Sequence, residues 1–257
     1  MRTVKHKKAG EIWGLVFVSP YLFGLLALWV IPTIAAFGIS LTNWDLFSLP
    51  RFVGLVNYKG LVEDPVFIRS LINTWYYALV SIPISMIIAL LLAIALNKAI
   101  RGIVWLRTIY FLPYVTSTVA VALLWSWIYN YDFGLLNHLL DLVGISPVGW
   151  LTDQRWAMPA IMIMSIWKGL GYNIVLFLAG LQNIPKHLYE SAEIDGATGF
   201  TAFRYITIPL LSPTTFFMLI MGIIGALQVF EQAYIMTKGG PGVATYTIVY
   251  YLWEQAF

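Results

Sequence analysis

Tyr189-Glu-Ser-Ala-Glu-Ile-Asp-Gly-Ala-Thr-Gly-Phe-Thr-Ala-Phe-Arg-Tyr-Ile-Thr-Ile-Pro209 is the longest polar interval between two strongly apolar segments near the C-terminal end of the chain. Pro185 just before it suits the first turn of a helix, where its missing N–H would have no partner. Lys186 to Asp195 holds good or neutral helix formers, and Gly196 stands where a left-handed residue would end that helix. Thr198 or Thr201 can cap a second short helix running to Ile206 and Pro209. The stretch therefore predicts a helix, a glycine corner and a helix, lying outside a membrane between two spans.

Outward from this interval the chain is overwhelmingly apolar. Hydrophobic residues make up 60% of it and charged residues 11%, with a mean hydropathy of +0.80. A soluble domain is about 45–50% apolar and about 25% charged. The excess lies in long runs, which predicts an all-α polytopic transmembrane bundle and a single domain over 1–257. With no cysteine, a disulfide framework, a thiolate metal site and a cysteine nucleophile are excluded. The net charge of +3 comes with no basic patch interleaved with aromatics, so no nucleic-acid partner is expected.

Five spans are expected, at about 12–41, 70–97, 108–130, 157–181 and 206–236, with a loop at 182–205. The first is charge-free from Ile12 to Trp44, longer than the ~30 Å hydrocarbon core needs, and Pro20 and Pro32 should bend it. A signal peptide would have an apolar core of only ~7–15 residues. Trp75, Tyr76 and Tyr77 form an interfacial belt at one end of the second span, and Trp125, Trp127, Tyr129 and Tyr131 one at the far end of the third. Gly239-Gly240-Pro241-Gly242 breaks the chain after the fifth, and Thr245 to Phe257 is too short to span. On the N-terminal side lie nine basic residues, Arg2, Lys5, Lys7, Lys8, Lys98, Arg101, Arg107, Lys186 and Arg204, against five opposite, Arg51, Lys59, Arg69, Arg155 and Lys238. That asymmetry places the N-terminus and the 182–205 loop in the cytosol.

Glu190-Ser191-Ala192, Gly196 and then Ile206-Thr207-Ile208-Pro209 resemble the "EAA" loop of the permease subunits of binding-protein-dependent ABC importers. That loop reads Glu-Ala-Ala, three residues, Gly, nine residues, Ile-x-Leu-Pro, and Ser191 and Ile208 depart from it conservatively. Met236 to Pro241 and Tyr250 to Phe257 look like the corresponding parts of sugar-type permeases, such as those for maltose and glycerol phosphate. The resemblance implies a type I importer permease fold with a sixth span to follow, in a bacterial plasma (inner) membrane. It implies a second permease subunit, a pair of ATP-binding cassette ATPases and an extracytoplasmic solute-binding protein as partners. Leu188, Tyr189, Glu190, Ser191, Ala192, Asp195, Gly196, Ile206 and Pro209 would couple to the ATPase, with Leu188, Tyr189, Ala192 and Ile194 as the docking surface.

The chain shows no catalytic constellation. His6, His138 and His187 are scattered, so no metal is expected, and without a Gly-x-x-x-x-Gly-Lys loop ATP must be hydrolysed on a partner. No cofactor is expected. Lys168 and Glu231 are the charges inside spans, where each costs at least ~2.5 kcal/mol at a helix centre unless it faces the bundle interior or water. With Tyr172, Asn173 and Gln228 they are candidates to line a solute path, since hydroxyl-rich solutes need donors, acceptors and aromatic faces. Lys168 could equally form a structural pair with an acid. The alternative class, an ion-gradient-driven secondary transporter or channel, would usually carry several carboxylates in its spans and inverted repeats.

Overall fold

A computed structural model describes residues 2–45, 47–97, 103–197 and 199–257; among these, the side chains of 2–12, 103 and 104 are not described. Lys98, Arg101 and Thr198, used above in reading orientation and capping, lie outside the described residues, as do the side chains of the N-terminal basic cluster. Instead of one domain over 1–257, the chain forms two compact units, Met1–Asp64 and Pro65–Phe257.

The first unit is a long apolar helix followed by a small cap. Helix α1 (Arg2–Leu25) passes through a π-helical turn, Leu26–Val30, into α2 (Ile31–Ser40). Pro32 has no N–H to give the preceding turn, and the π register, in which the Ile31 N–H reaches the Leu26 carbonyl, absorbs the mismatch without ending the helix. Strands β1 (Thr42–Asn43) and β2 (Arg51–Phe52) then pair antiparallel, Thr42 opposite Phe52, and α3 (Val56–Glu63) follows. Asn57 Nδ2 donates to the Ser40 and Thr42 carbonyls at 2.9 Å each, fastening α3 to the helix end. In the hairpin loop, hydrogen bonds from Ser48 and Phe47 hold the Asp45 carboxyl below its ordinary range. No side chain of the window that qualifies Trp13–Ser40 as a membrane-crossing helix is buried within the chain.

The second unit is a bundle built on α4 (Pro65–Leu96) and α8 (Ala157–Gln182), which pack along each other. Between lipid-facing helices there is no hydrophobic driving force for association, so close packing of small residues has to supply it. Ala78, Ala89, Ala93, Ala160 and Gly171 are all buried where α4, α8 and their neighbours meet. α4 begins five residues before the expected start of the second span, its first turns being amphipathic rather than charge-free. A continuous third span is not found. α5 (Ile103–Val115) and α6 (Thr118–Ile128) meet at a 98° elbow. α7 (Leu135–Leu142) lies in the loop before α8.

After α8 comes α9 (Lys186–Ile194), then α10 (Phe200–Ala202), a second π turn at Phe203–Thr207, and α11 (Ile208–Leu210). The second π turn again stands just before a proline, Pro209, with the Ile208 N–H reaching back to the Phe203 carbonyl. A 61° bend separates this segment from α12 (Ser212–Leu227), which carries Pro213 in its first turn. The helix stops again over Gln228–Phe230 before α13 (Glu231–Thr237), so the fifth span expected at 206–236 is twice interrupted. The chain closes with α14 (Ile248–Ala256), about 13 Å long and too short to span. Among the described residues, three helices are long and apolar enough to cross a membrane, and five segments qualify if each bent pair is one span.

Candidate functional site

Two places bring the candidate residues together. The first is a cavity of about 400 Å³ walled by α4, α5, α6, α8, α12 and α13. Of the five path candidates Lys168, Tyr172 and Asn173 line it, whereas Gln228 and Glu231 do not. Those two sit exposed at the break between α12 and α13, and the neighbouring Gln232 takes their place in the wall. Composition alone could not decide this, because a residue's facing is set by where the helix breaks. The wall also holds Tyr77, Ser81 and Ser85 of α4. Their i, i+4, i+8 spacing is a polar stripe along one helix face that could have marked them in the sequence.

Some polar groups of the cavity wall are engaged within the chain, whereas Ser165 Oγ is buried without a hydrogen-bond partner among the described residues. Asn173 Nδ2 donates to Ser85 Oγ at 2.9 Å, linking α8 to α4, and Ser81 Oγ donates to the Tyr77 carbonyl at 2.6 Å. The Tyr114 and Tyr172 rings stack with centroids 4.8 Å apart. Lys168 Nζ donates to the Tyr114 carbonyl at 3.2 Å and lies 5.8 Å from the centroid of that ring. Among the described residues Lys168 and Glu231 form no ion pair.

The end of the bundle where α4 begins is closed by the segment after α13. Asn73 Nδ2 donates to the Val243 and Tyr246 carbonyls at 2.9 Å each, and Thr74 Oγ1 accepts from the Ile248 N–H at 2.9 Å. Thr247 Oγ1 donates to the Val229 carbonyl at 2.7 Å, giving a partner to a group freed by the break between α12 and α13. Thr237 and Thr245 share a hydrogen bond of 2.6 Å beneath the glycine–proline turn. Asn73, Thr74, Thr245 and Thr247 are all buried. Irregular backbone at membrane depth survives only where protein or a cavity satisfies it, and this network supplies the partners.

The second place is the 182–205 connector at the opposite end of α8. Pro185 precedes the first turn of α9 rather than occupying it, with ψ of 129°. Gly196 has φ of +79°, and the bonds Gly196 N–H to Glu193 carbonyl, 3.0 Å, and Ala197 N–H to Ala192 carbonyl, 2.8 Å, make a Schellman termination. Thr201 lies inside α10 and does not cap it; Gly199, at φ of +56°, precedes the helix instead. Leu188 and Tyr189 are half-buried and pack against the bundle's own core, as does Ile206. Tyr189 Oη and Thr207 Oγ1 share a hydrogen bond of 2.8 Å. Glu190, Ser191 and Asp195 are exposed, Ala192 is half-exposed and Ile194 is 88% exposed. Pro209 lies at the head of α11, two residues past the π turn.

Residues 64–256, essentially the second unit, match the model of the family described as binding-protein-dependent transport system inner membrane component. The chain belongs to that family. The permease is similar to the trehalose/maltose transport system permease protein MalF of Thermococcus litoralis, 40% identical over 96% of this chain and 84% of that one. Its fold is that of a type I importer permease. A bacterial ABC transporter involved in the import of the acidic polysaccharide alginate superposes with a TM-score of 0.81 at 26% identity, covering 100% of this chain and 88% of that one. A bacterial alginate ABC transporter in complex with an alginate pentasaccharide-bound periplasmic protein gives 0.80 at 26% identity, covering 96% and 83%. The permease is thus a membrane transport subunit.

Proposed function

We propose that this permease is the membrane-spanning subunit of an ATP-driven importer for a sugar or related polar solute, worked by alternating access. It pairs with a second permease and with two ATPases on the cytosolic face, and it receives solute from a binding protein outside. The N-terminus and the α9 connector lie in the cytosol, as the distribution of Lys and Arg suggests. Glu190, Ser191, Ala192, Ile194 and Asp195 form the face offered to the ATPase, while Leu188, Tyr189 and Ile206 root the connector in the bundle and Gly196 makes its corner.

The observation that carries this reading is the Tyr189–Thr207 hydrogen bond. It joins α9 to the foot of the segment that continues through Pro209 into α12, and α12 contributes Met218, Met221, Gly222, Gly225 and Ala226 to the cavity wall. A displacement of α9 is thereby delivered to the wall as a rigid-body shift, the kind of hinge motion that alternating access requires. The carbohydrate in the description of MalF, and the alginate in those of the solved transporters, supports a sugar as solute. The cavity's hydroxyls, amides and stacked tyrosines suit the same chemistry.

The test is reconstitution of the permease with its second permease, ATPase and binding protein in proteoliposomes. Uptake of the binding protein's sugar that requires ATP, together with loss of ATPase association and uptake in Glu190→Lys while the protein still inserts, supports the reading. Uptake driven by a proton or sodium gradient without ATP would place the protein among secondary transporters instead.

A further inference from the structure

The elbow between α5 and α6 leaves carbonyls without helical partners. The last four carbonyls of any α-helix lack them, and here the chain turns through 98° immediately after Val115. One of them is met by a side chain from a different helix: Lys168 donates to the Tyr114 carbonyl at 3.2 Å, while Thr116 Oγ1 donates to the Leu112 carbonyl one turn back at 3.0 Å. A cation at a helix C-terminus also complements the negative end of the helix dipole. The approach of the two helices is close by construction. A Cβ on Gly171, three residues after Lys168 and on the same face of α8, would run into the Tyr110 carbonyl and come within 2.7 Å of Phe111 Cα. Tyr172, the next residue, stacks on the Tyr114 ring. Lys168, Gly171 and Tyr172 thus grip the last turn of α5 from one face of α8.

We propose that Lys168 is a positioning residue: through the Tyr114 carbonyl it latches the elbow of the broken span, which sets Tyr114 and Thr118 in the cavity wall. The ammonium is committed to the permease's own backbone, so it shapes the path through the elbow instead of serving chiefly as a ligand for solute. A half-exposed ammonium inside a span is thereby given a partner without a paired acid, and a lysine placed there at some cost has a mechanical use. This role rests on the transport reading only for its consequence; the latch itself is a property of the fold.

The chain has no cysteine, so cysteines introduced at the exposed positions Ile109 and Leu123 take spin labels on the two arms of the elbow without background from this chain, the partner subunits being assembled unlabelled in cysteine-free form. In the assembled importer before solute is added, Lys168→Met should broaden or shift the distance distribution between the labels, and Lys168→Arg, which keeps a donor, should restore it in part. Uptake by Lys168→Met should fall roughly tenfold, about 1.4 kcal/mol, in its maximal rate, with the concentration for half-maximal uptake nearly unchanged. Unaltered label distances with a raised half-maximal concentration would overturn the latch and make Lys168 a solute ligand. Unaltered distances with reduced assembly alone would overturn it in favour of a subunit contact. Should Lys168→Met fail to assemble, the label distances in Lys168→Arg and Lys168→Gln decide: a wild-type distribution in both refutes the latch, and a broadened one in Lys168→Gln upholds it. The label distances are read without transport, so a failure of ATP-driven uptake in the wild type would refute the transport reading and leave this result standing.

Discussion

The two ends of the Pro65–Phe257 unit are fastened in different ways. At the end where α4 begins, buried side chains of Asn73, Thr74, Thr245 and Thr247 knit four separate backbone segments together. At the other end, among the described residues, the α9 helix is tied to the span that follows it by one side-chain hydrogen bond, between Tyr189 and Thr207, and by apolar contacts of Leu188 and Tyr189. Buried polar networks are stiff because every broken bond strands a partner away from water. A helix held by one hydroxyl pair and a few side chains can tilt as a body at little cost. The contrast makes the glycine–proline closure the more tightly fastened end and the connector the more lightly held one, an asymmetry that suits the proposed drive from one side.

The comparison can be broken most severely at Asn73. Asn73→Leu keeps the volume but strands the Tyr246 carbonyl, at about 1–3 kcal/mol for a group left unsatisfied, and leaves the Val243 carbonyl with only the Tyr246 N–H. The purified complex should show a clearly lowered thermal unfolding midpoint; an unchanged midpoint would mean the closure is not rigid. Next in size is Gly196→Ala. A side chain at φ of +79° costs roughly 1–2 kcal/mol, with no neighbour in the way of the new methyl group. The corner should re-angle, seen as weaker co-purification of the ATPase, while cavity-facing residues keep their reactivity.

Tyr189→Phe removes a single hydroxyl, worth about 0.5–1.5 kcal/mol. Little change in unfolding but more ATP hydrolysed per solute imported is the outcome expected of the proposed coupling through this tie. If the stoichiometry stays as in the wild type, the Tyr189–Thr207 bond is not the transmitting contact. The smallest effect belongs to the rim of the pinned end, at Asp153, whose exposed carboxyl is held below its ordinary value of 3.8 by the Arg155 backbone N–H, 2.8 Å away, and then by the Arg155 side chain. A depressed carboxylate contributes stability that is present above the unfolded value and lost as pH falls through the folded one. Asp153→Asn should lower the unfolding midpoint slightly at neutral pH and converge on the wild type as pH falls through the carboxylate range; a difference that persists unchanged in acid would mean that the carboxylate charge is not what Asp153 contributes.

Much of the connector was legible because its signals are local. Gly196 ends α9 with the left-handed turn its position suggested, and the run from Ala157 to Leu181 is one helix. Pro32 and Pro209 were read as a bend and a boundary, yet each is absorbed by a π turn two residues upstream, which lets the helix run on past the missing N–H. Thr201 had the right chemistry for a cap and sits inside the helix instead, since Gly199 already turns the chain. Gln228 and Glu231 were expected in the path; the break at 228–230 moves them out of the wall and brings Gln232 in.

By itself the sequence determined the class of molecule, the apolar stretches long enough to cross a bilayer and the corner at Gly196, because hydropathy and backbone φ are properties of a residue and its immediate neighbours. Only the tertiary structure decided where the third and fifth spans break, which helix faces enclose the cavity, and that Lys168 answers a carbonyl 54 positions away in the chain. A helix can break inside a membrane only when some other segment satisfies the backbone it frees, and which segment does so is settled by packing, not by the order of residues around the break.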